Sequence, residues 1–388
     1  MSNPARILCT HVGALPSPPE LSSLEGVEET RLRQAVREVV DRQRDCGVDI
    51  LNEGEITKGG MWVSFVNERL TGFTPSSSPS SARLFRQSED YAEFGAFYDA
   101  AVKAGTLFEQ TGSAGAGVHR LSRRSVDWDC TGPITYCGTA ALEREIDCLR
   151  AALGDRPADS AFLTSTAPAS LEPGRENHYY KSEEQFVFAL AEAMRTEYQA
   201  IAGAGFQLQV DDAWLAALWD RIGIKMGLAA YQRYCRMRIE ALNHALRGIP
   251  PEQVRYHLCW GSWHGPHSHD MPLRDLVDIM LSVNARTYLF EAANVRHEHE
   301  YVLWKSVKLP DDKILAPGCV SHATTLIEHP ELVAERILRF ATIVGRERVI
   351  ASTDCGLGLR CHEQKIAWAK LQALSRGAAL ASEQLWGR

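Results

Sequence analysis

Four residues in the second half of this 388-residue chain are of types that together suit a transition metal: His257, Cys259, Glu291 and Cys355. They come from three stretches, Tyr256-His257-Leu258-Cys259-Trp260-Gly261, Leu289-Phe290-Glu291-Ala292-Ala293-Asn294 and Ser352-Thr353-Asp354-Cys355-Gly356. Each ends a short apolar run and leads into small or turn residues, the pattern of a buried strand that stops at the rim of a sheet. Alternation along a strand places His257 and Cys259 on one face. Imidazole, thiolate and carboxylate form a donor set suited to four-coordinate zinc, with sulfur at about 2.3 Å and nitrogen at about 2.0–2.1 Å. A single cysteine is most often a small buried hydrophobe, and His-x-Cys alone carries little information. Three strand ends in order, each closing on a ligand-type residue, carry more.

The charge of such a site sets its chemistry. Two thiolates, a carboxylate and a neutral imidazole would leave Zn²⁺ with one net negative charge, a weak Lewis acid toward water. An incoming thiol can still bind, and its sulfur stays nucleophilic, so the site suits alkylation of sulfur rather than hydrolysis. Further polar residues close other apolar runs: His11, Glu55, Asp211, Asp212, His322 and Asp354. Glu55 and Asp211 suit pairing with an ammonium group, and His322 is a candidate proton donor to a leaving group. Asp211 or Asp212 alone would pass for a helix cap; as a set, these residues mark one face as a site. His264, His267, His269, His297 and His299 lie just past the ligand-bearing strands. No cysteine or spaced carboxylate joins them, so they read as wall residues and hydrogen-bond partners rather than as a second metal site.

The elements that must position these residues alternate along the chain. Strands are expected at 7–13, 49–55, 161–166, 206–212, 255–261, 287–294, 313–319 and 349–355. Helices are expected near 29–46, 140–152, 183–202, 223–246, 273–283 and 332–344, the first with Leu32, Ala35, Val36, Val39 and Val40 on one face. Eight strands with helices between most of them predict a single-domain (β/α)₈ barrel over 1–388. A doubly wound open sheet is the runner-up, but a closed barrel gathers all the C-terminal strand ends at one mouth. Residues 74–137 interrupt the alternation as an insertion, a candidate lid or homodimer contact. It holds a low-complexity loop at Thr74–Ala82, a loop at Ala114–Gly117, and a hairpin formed by Ser125–Asp129 and Ile134–Tyr136.

Composition narrows the partners. A net charge of -7 gives no reason to expect nucleic acid or an anionic membrane. The absence of a long apolar run or signal-peptide core leads to a cytoplasmic expectation. There the ten cysteines, which lack a framework spacing, are expected as free thiols.

The four donors, in type and order, resemble the zinc ligands of the cobalamin-independent methionine synthase family. The resemblance runs from His11-Val12-Gly13 to Asp354-Cys355-Gly356-Leu357. It implies a barrel in which zinc holds the homocysteine thiolate and a methyl group arrives from methyltetrahydrofolate. Glu55 matches that family's acidic residue at the second strand, and Asp211 one that binds the homocysteine amine. His11, Gly13, Ala14, Asp212 and Trp260 complete the substrate-facing candidates. The large N-terminal half of the full-length synthases is absent, so the chain looks like a short single-barrel branch. That branch is also similar to epoxyalkane:coenzyme M transferase, in size and in Arg296-His297-Glu298-His299-Glu300. Two departures bear on the substrate pockets. Ala14 stands where the synthases have Ser, and Ser165-Thr166-Ala167-Pro168 replaces Thr-Gly-Pro with no Trp following. The expected partners are a small thiol and a methyl or alkyl donor. Competing readings are a zinc-dependent alkyl transferase or lyase of the coenzyme M kind, and a metal-free decarboxylase of the uroporphyrinogen type on the same barrel.

Overall fold

The protein is described here by a computed structural model covering residues 5–22, 24, 26–59, 64–77, 85–104, 106–107, 127–358 and 363–387. Seven strands form one parallel sheet: β1 (Leu8–Cys9), β4 (Phe162–Thr166), β6 (Gln207–Asp212), β7 (Val254–Leu258), β8 (Thr287–Phe290), β9 (Ile314–Val320) and β10 (Ile350–Thr353). Their order is β1-β10-β9-β8-β7-β6-β4. Almost every strand residue is buried, as expected where helices cover one face and a packed interior fills the other. Within the curl, Val12, Ile50, Phe162, Leu289, Ala316 and Ile350 make a separate apolar cluster. The Arg255 guanidinium lies 3.8 Å over the Phe162 ring and donates to Thr10 Oγ1 and the His11 carbonyl.

The second expected strand, 49–55, is the main departure. Its backbone bonds to both edges of the sheet: Ile50 N donates to the Cys9 carbonyl, and Phe162 N donates to that of Leu51. Beyond Leu51 the ladder is taken over by side chains. Asn52 Nδ2 donates to the Phe162 carbonyl, and Gln43 Oε1 accepts from Asn52 N. A strand cannot continue where side chains occupy its backbone partners, so the segment turns, and Glu55 ends in the left-handed region at φ 58°. Behind this turn a buried ionic network joins it to β4. Lys58 pairs with Glu145, Arg69 bridges Glu145 and Glu197, and Glu197 accepts from Ser165 on β4.

The principal helices are α1 (Glu29–Asp45), α2 (Glu89–Ala104), α3 (Thr139–Leu153), α4 (Glu183–Gly203), α5 (Leu228–Ala245), α6 (Leu273–Leu281), α7 (Pro330–Val344) and α8 (Gln364–Trp386). The buried face of α1 is the expected Leu32, Ala35, Val36, Val39 and Val40, extended by Gln43. Helix α8 had no counterpart in the sequence reading; it buries Trp368, Leu371, Leu374 and Ala378.

The insertion differs from expectation. Among the described residues, no strand pairing joins 127–129 to 134–136. Instead β3 (Trp128–Cys130) pairs antiparallel with β2 (Phe73–Pro75) and parallel with β5 (Arg175–Asn177). Tyr136 makes a lone bridge to Leu70. Thus Thr74 and Pro75, expected in a loop, are strand. The rest of the low-complexity loop beyond Ser77, the Ala114–Gly117 loop, and Ser125 and Val126 lie outside the described residues.

One packing constraint ties the sheet to its rim. A Cβ on Gly318 of β9 would sit 1.9 Å from Asp354 Oδ1, the oxygen that accepts from the backbone N–H groups of Ala292 and Ala293. Gly318→Ala is therefore expected to push Asp354 off this loop. Overpacking of this kind costs about 1–3 kcal/mol, measurable by denaturant unfolding. An unchanged midpoint would show that the site around Asp354 yields without cost.

Candidate metal centre

The strand register assembles the site. Pairing of β6 with β7 sets Asp211 beside His257, and pairing of β7 with β8 sets His257 beside Leu289, two residues before Glu291. His257 Nδ1 lies 2.9 Å from Asp211 Oδ1, which also accepts from Gln209 Nε2. An acceptor at Nδ1 fixes the proton there and turns the other nitrogen to other use. His257 Nε2 is buried without a hydrogen-bond partner, and a nitrogen of this ring lies within 4.8 Å of the sulfurs of Cys259 and Cys355. Strand β7 ends at Leu258, so Cys259 stands just beyond it, with Gly261 N donating to its sulfur at 3.3 Å. Cys355 is the second residue past β10, with Ser262 Oγ 3.2 Å from its sulfur. Glu291 directly follows β8.

The separations between donors test the fit to a metal. Cys259 Sγ is 3.8 Å from Cys355 Sγ and 3.6 Å from Glu291 Oε1. Donors at the corners of a tetrahedron, at zinc bond lengths, stand about 3.8 Å apart for two sulfurs and about 3.6 Å for sulfur and oxygen. The two cysteines are free thiols, as are all nine described cysteines. The Asp211 contact to His257 is the carboxylate–histidine arrangement that orients imidazole ligands in metal sites. The residues present fit zinc.

Protonation follows from the crowding. The Cys259 thiol, donating to Cys355, holds Cys355 well below the usual thiol range, against burial, with His257 assisting. The same contact, with burial, pushes Cys259 well above it. Burial lowers His257, but Asp211 and Cys355 outweigh it and carry the imidazole up to about 10. Burial raises Glu291, yet Arg296, His322 and His297 bring it below the ordinary carboxylate value. Burial and the Glu291 charge push Asp354 up to about 7, against the backbone N–H groups it accepts.

No family model matches the sequence. It is 23% identical to the methionine synthase of Saccharolobus solfataricus over 366 residues, 94% of this chain and 88% of that protein. It is 26% identical to that of Saccharolobus islandicus over 230 residues, a match spanning 58% of this chain and 60% of its relative. A B12-independent methionine synthase from a Shewanella species superposes with a TM-score of 0.71 at 19% identity, covering 99% of this chain and all of that one. A Listeria monocytogenes protein described as a putative B12-independent methionine synthase gives 0.64 at 18%, with the same coverage. In sequence and in fold the chain is thus similar to methionine synthases of the cobalamin-independent kind.

Several residues expected to face substrate in a methionine synthase-like mouth are buried and hydrogen-bonded within the protein. His11 is buried, with Nε2 on Gln43 and Nδ1 accepting from Gly13 N, and burial lowers it to about 4. Asp212 is buried between Ser170 and Tyr256, whose hydroxyls it accepts. Trp260 is fully buried, donates Nε1 to the Met271 carbonyl and packs on His297. Asp211 is buried and turns Oδ1 to His257 Nδ1. Glu55 is buried beside Gly13, accepts from Thr164 Oγ1 at 3.2 Å, and has Oε2 without a partner. Burial and Asp211 push Glu55 up to about 8. Ala14 is half-buried and touches Gly356, next to Cys355. His322 is buried, with a ring nitrogen within 4.8 Å of carboxylate oxygens of Glu291 and Asp354.

The His-rich loops form no group of three metal-type side chains among the described residues. They do act as hydrogen-bond partners, His267 and His297 both meeting Asp270. The sequence reading missed Asn294, Arg296 and Ser262 as neighbours of the donors. Asn294 and Arg296 follow Glu291 by three and five residues in a stretch already singled out, but no spacing rule aims them back at it.

Metal binding must displace protons. At pH 7 the metal-free site holds one proton on Cys259 and a second on His257, whose value of about 10 keeps it charged. Uptake of zinc is expected to release two protons. Apparent affinity should then fall about 100-fold per pH unit lowered below neutrality. Calorimetry in buffers of different ionisation enthalpy measures the count; release of no proton would contradict this site.

Proposed function

We propose that the protein is a metal-dependent S-methyltransferase that moves a methyl group from a small donor to the sulfur of homocysteine or a close relative. The observation that carries this reading is the donor geometry at Cys259, Cys355 and Glu291, with His257 Nε2 buried beside the sulfurs. The relatives' description as methionine synthases supports the same chemistry.

Zinc held by His257, Cys259, Glu291 and Cys355 would supply the positive charge that keeps an incoming thiol ionised near neutral pH. The chain's own residues do the rest. The Glu55 carboxyl, raised by burial, regains its charge once an ammonium settles against its unpartnered oxygen. Asp211 keeps the His257 ring in one orientation. The acceptor sulfur gives up its proton and forms a bond to the methyl carbon, while the donor's bond to that carbon breaks. The departing group leaves with the electron pair and takes a proton, for which His322 is the candidate source. Sulfonate recognition of the coenzyme M kind finds less support: Arg296 spends its guanidinium on Glu291 and Asp270, and Arg124 and Arg360 lie outside the described residues.

Metal analysis joined to a thiol panel tests the proposal. About one zinc per chain is expected, and Cys259→Ser or Cys355→Ser should lose most of it, because thiolates dominate affinity in such sites. Full retention of zinc in both variants would overturn the assignment. Glu55→Gln should retain zinc while weakening an amino-thiol, since losing a buried charge partner costs about 2–5 kcal/mol. Normal turnover by that variant would mean that the true acceptor has no amine.

The donor is a separate matter. Ala167, Pro168, Ala169, Ser170 and Leu171 are all buried and none is aromatic, so this stretch offers no stacking platform for a folate. Loss of a stacked ring forfeits roughly 1 kcal/mol or more beyond area burial. Methyltetrahydrofolate is therefore expected to serve poorly with homocysteine when assayed beside methylcobalamin. Robust methionine formation from the folate would refute this.

A further inference from the structure

Glu291 is held more tightly than a ligand needs to be. An ionised carboxylate offers about four lone-pair positions. On Oε2, Asn294 Nδ2 donates at 2.7 Å and Arg296 Nη2 at 2.6 Å. On Oε1, Trp260 N donates at 3.0 Å. That leaves one position, on Oε1, and it is this oxygen that stands 3.6 Å from Cys259 Sγ. Arg296 is itself locked. Its Nη1 donates to Asp270 Oδ2 at 2.7 Å, so one planar guanidinium spans two carboxylates. Asp270 is held by His267 Nδ1 at 3.0 Å and lies 3.3 Å from His297 Nε2. His267 N in turn donates to Asp90 Oδ2, on helix α2 of the insertion.

From this arrangement we propose that Arg296 is a positioning residue that confines Glu291 to a single metal-facing oxygen, with Asp270 as its buttress. The inference rests on the metal reading above and adds to it the control of one ligand. With both lone pairs of Oε2 filled, Glu291 is barred from turning to offer both oxygens. The positive guanidinium also draws charge away from the carboxylate, keeping it a weak donor beside two strong thiolates. Removing Arg296 opens one of the two filled positions on Oε2, leaving Asn294 on the other, and removes that pull, so the carboxylate changes its mode of attachment while the two sulfurs stay where they are. Lysine, a point donor without a fork, would serve one of the two carboxylates at a time.

Cobalt(II) in place of zinc reads this directly, because sulfur-to-cobalt bands report the thiolates and the visible d–d bands report coordination number. The wild-type chain, Arg296→Met, Arg296→Lys and Asp270→Asn would each be loaded with Co²⁺ and challenged with a chelator. Arg296→Met is expected to keep the sulfur bands but change the d–d envelope, with metal retention altered about 10–100-fold, the usual range for partners of ligands. Arg296→Lys should fall between it and wild type, and Asp270→Asn should shift the same way to a smaller extent. Should Arg296→Met fail to fold by circular dichroism, the Lys and Asn variants carry the test on their own. Spectra and chelator rates matching wild type in the folded variants would overturn the positioning role alone. A wild-type chain with no sulfur-to-cobalt band would overturn the metal reading and this role together.

Discussion

Two sulfurs 3.8 Å apart, with a buried carboxylate 3.6 Å from one of them, are an unfavourable arrangement wherever no positive charge lies between them. Once ionised they repel, and burial denies them the water that would screen the repulsion. The rest of the structure depends on how that cost is offset. Within the site, a proton shared between Cys259 and Cys355 and the charged His257 imidazole leave only part of the negative charge exposed to itself. Around it, Asp211 steadies His257, backbone N–H groups steady Asp354, and Arg296 steadies Glu291.

These supports come from different elements, which is why a parallel sheet is useful here. Adjacent strands running the same way deliver their C-terminal ends to one rim, so Asp211, His257 and Glu291 become neighbours although they lie tens of residues apart. Gly318 then lets β9 approach Asp354 closely enough for that carboxylate to reach the loop after β8. The buried Lys58, Arg69, Glu145 and Glu197 network plays a comparable part where the second strand is missing. It bonds the turn that carries Glu55 to β4 through side chains in place of a ladder.

The segment expected as an insertion is joined to the same scaffold. Helix α2 brings Asp90 against the loop of His267 and Ser268, where its two oxygens accept from both backbone N–H groups. Asp220 caps the start of that helix, accepting from Glu89 N and Asp90 N. Through His267 and Asp270 the contact reaches Arg296, so a segment that interrupts the barrel pattern is coupled to a residue touching a candidate ligand.

By itself the sequence determined the donor types, their order along the chain, and the helical faces of segments such as α1, because these depend on local composition and period. It also placed the apolar runs that became β4 and β6 to β10 within a few residues. Only the tertiary structure decided which polar residues at the rim are free to act. His11, Asp212 and Trp260 look like Glu55 in the sequence, all polar or aromatic groups closing apolar runs, yet the first three are spent on Gln43, Tyr256 and Met271. The pairing of β3 with β2 and β5 and the return of Arg296 onto Glu291 were likewise hidden. The reason is physical: whether a polar group is satisfied internally depends on partners brought near by folding, and no periodicity in the chain records that distance.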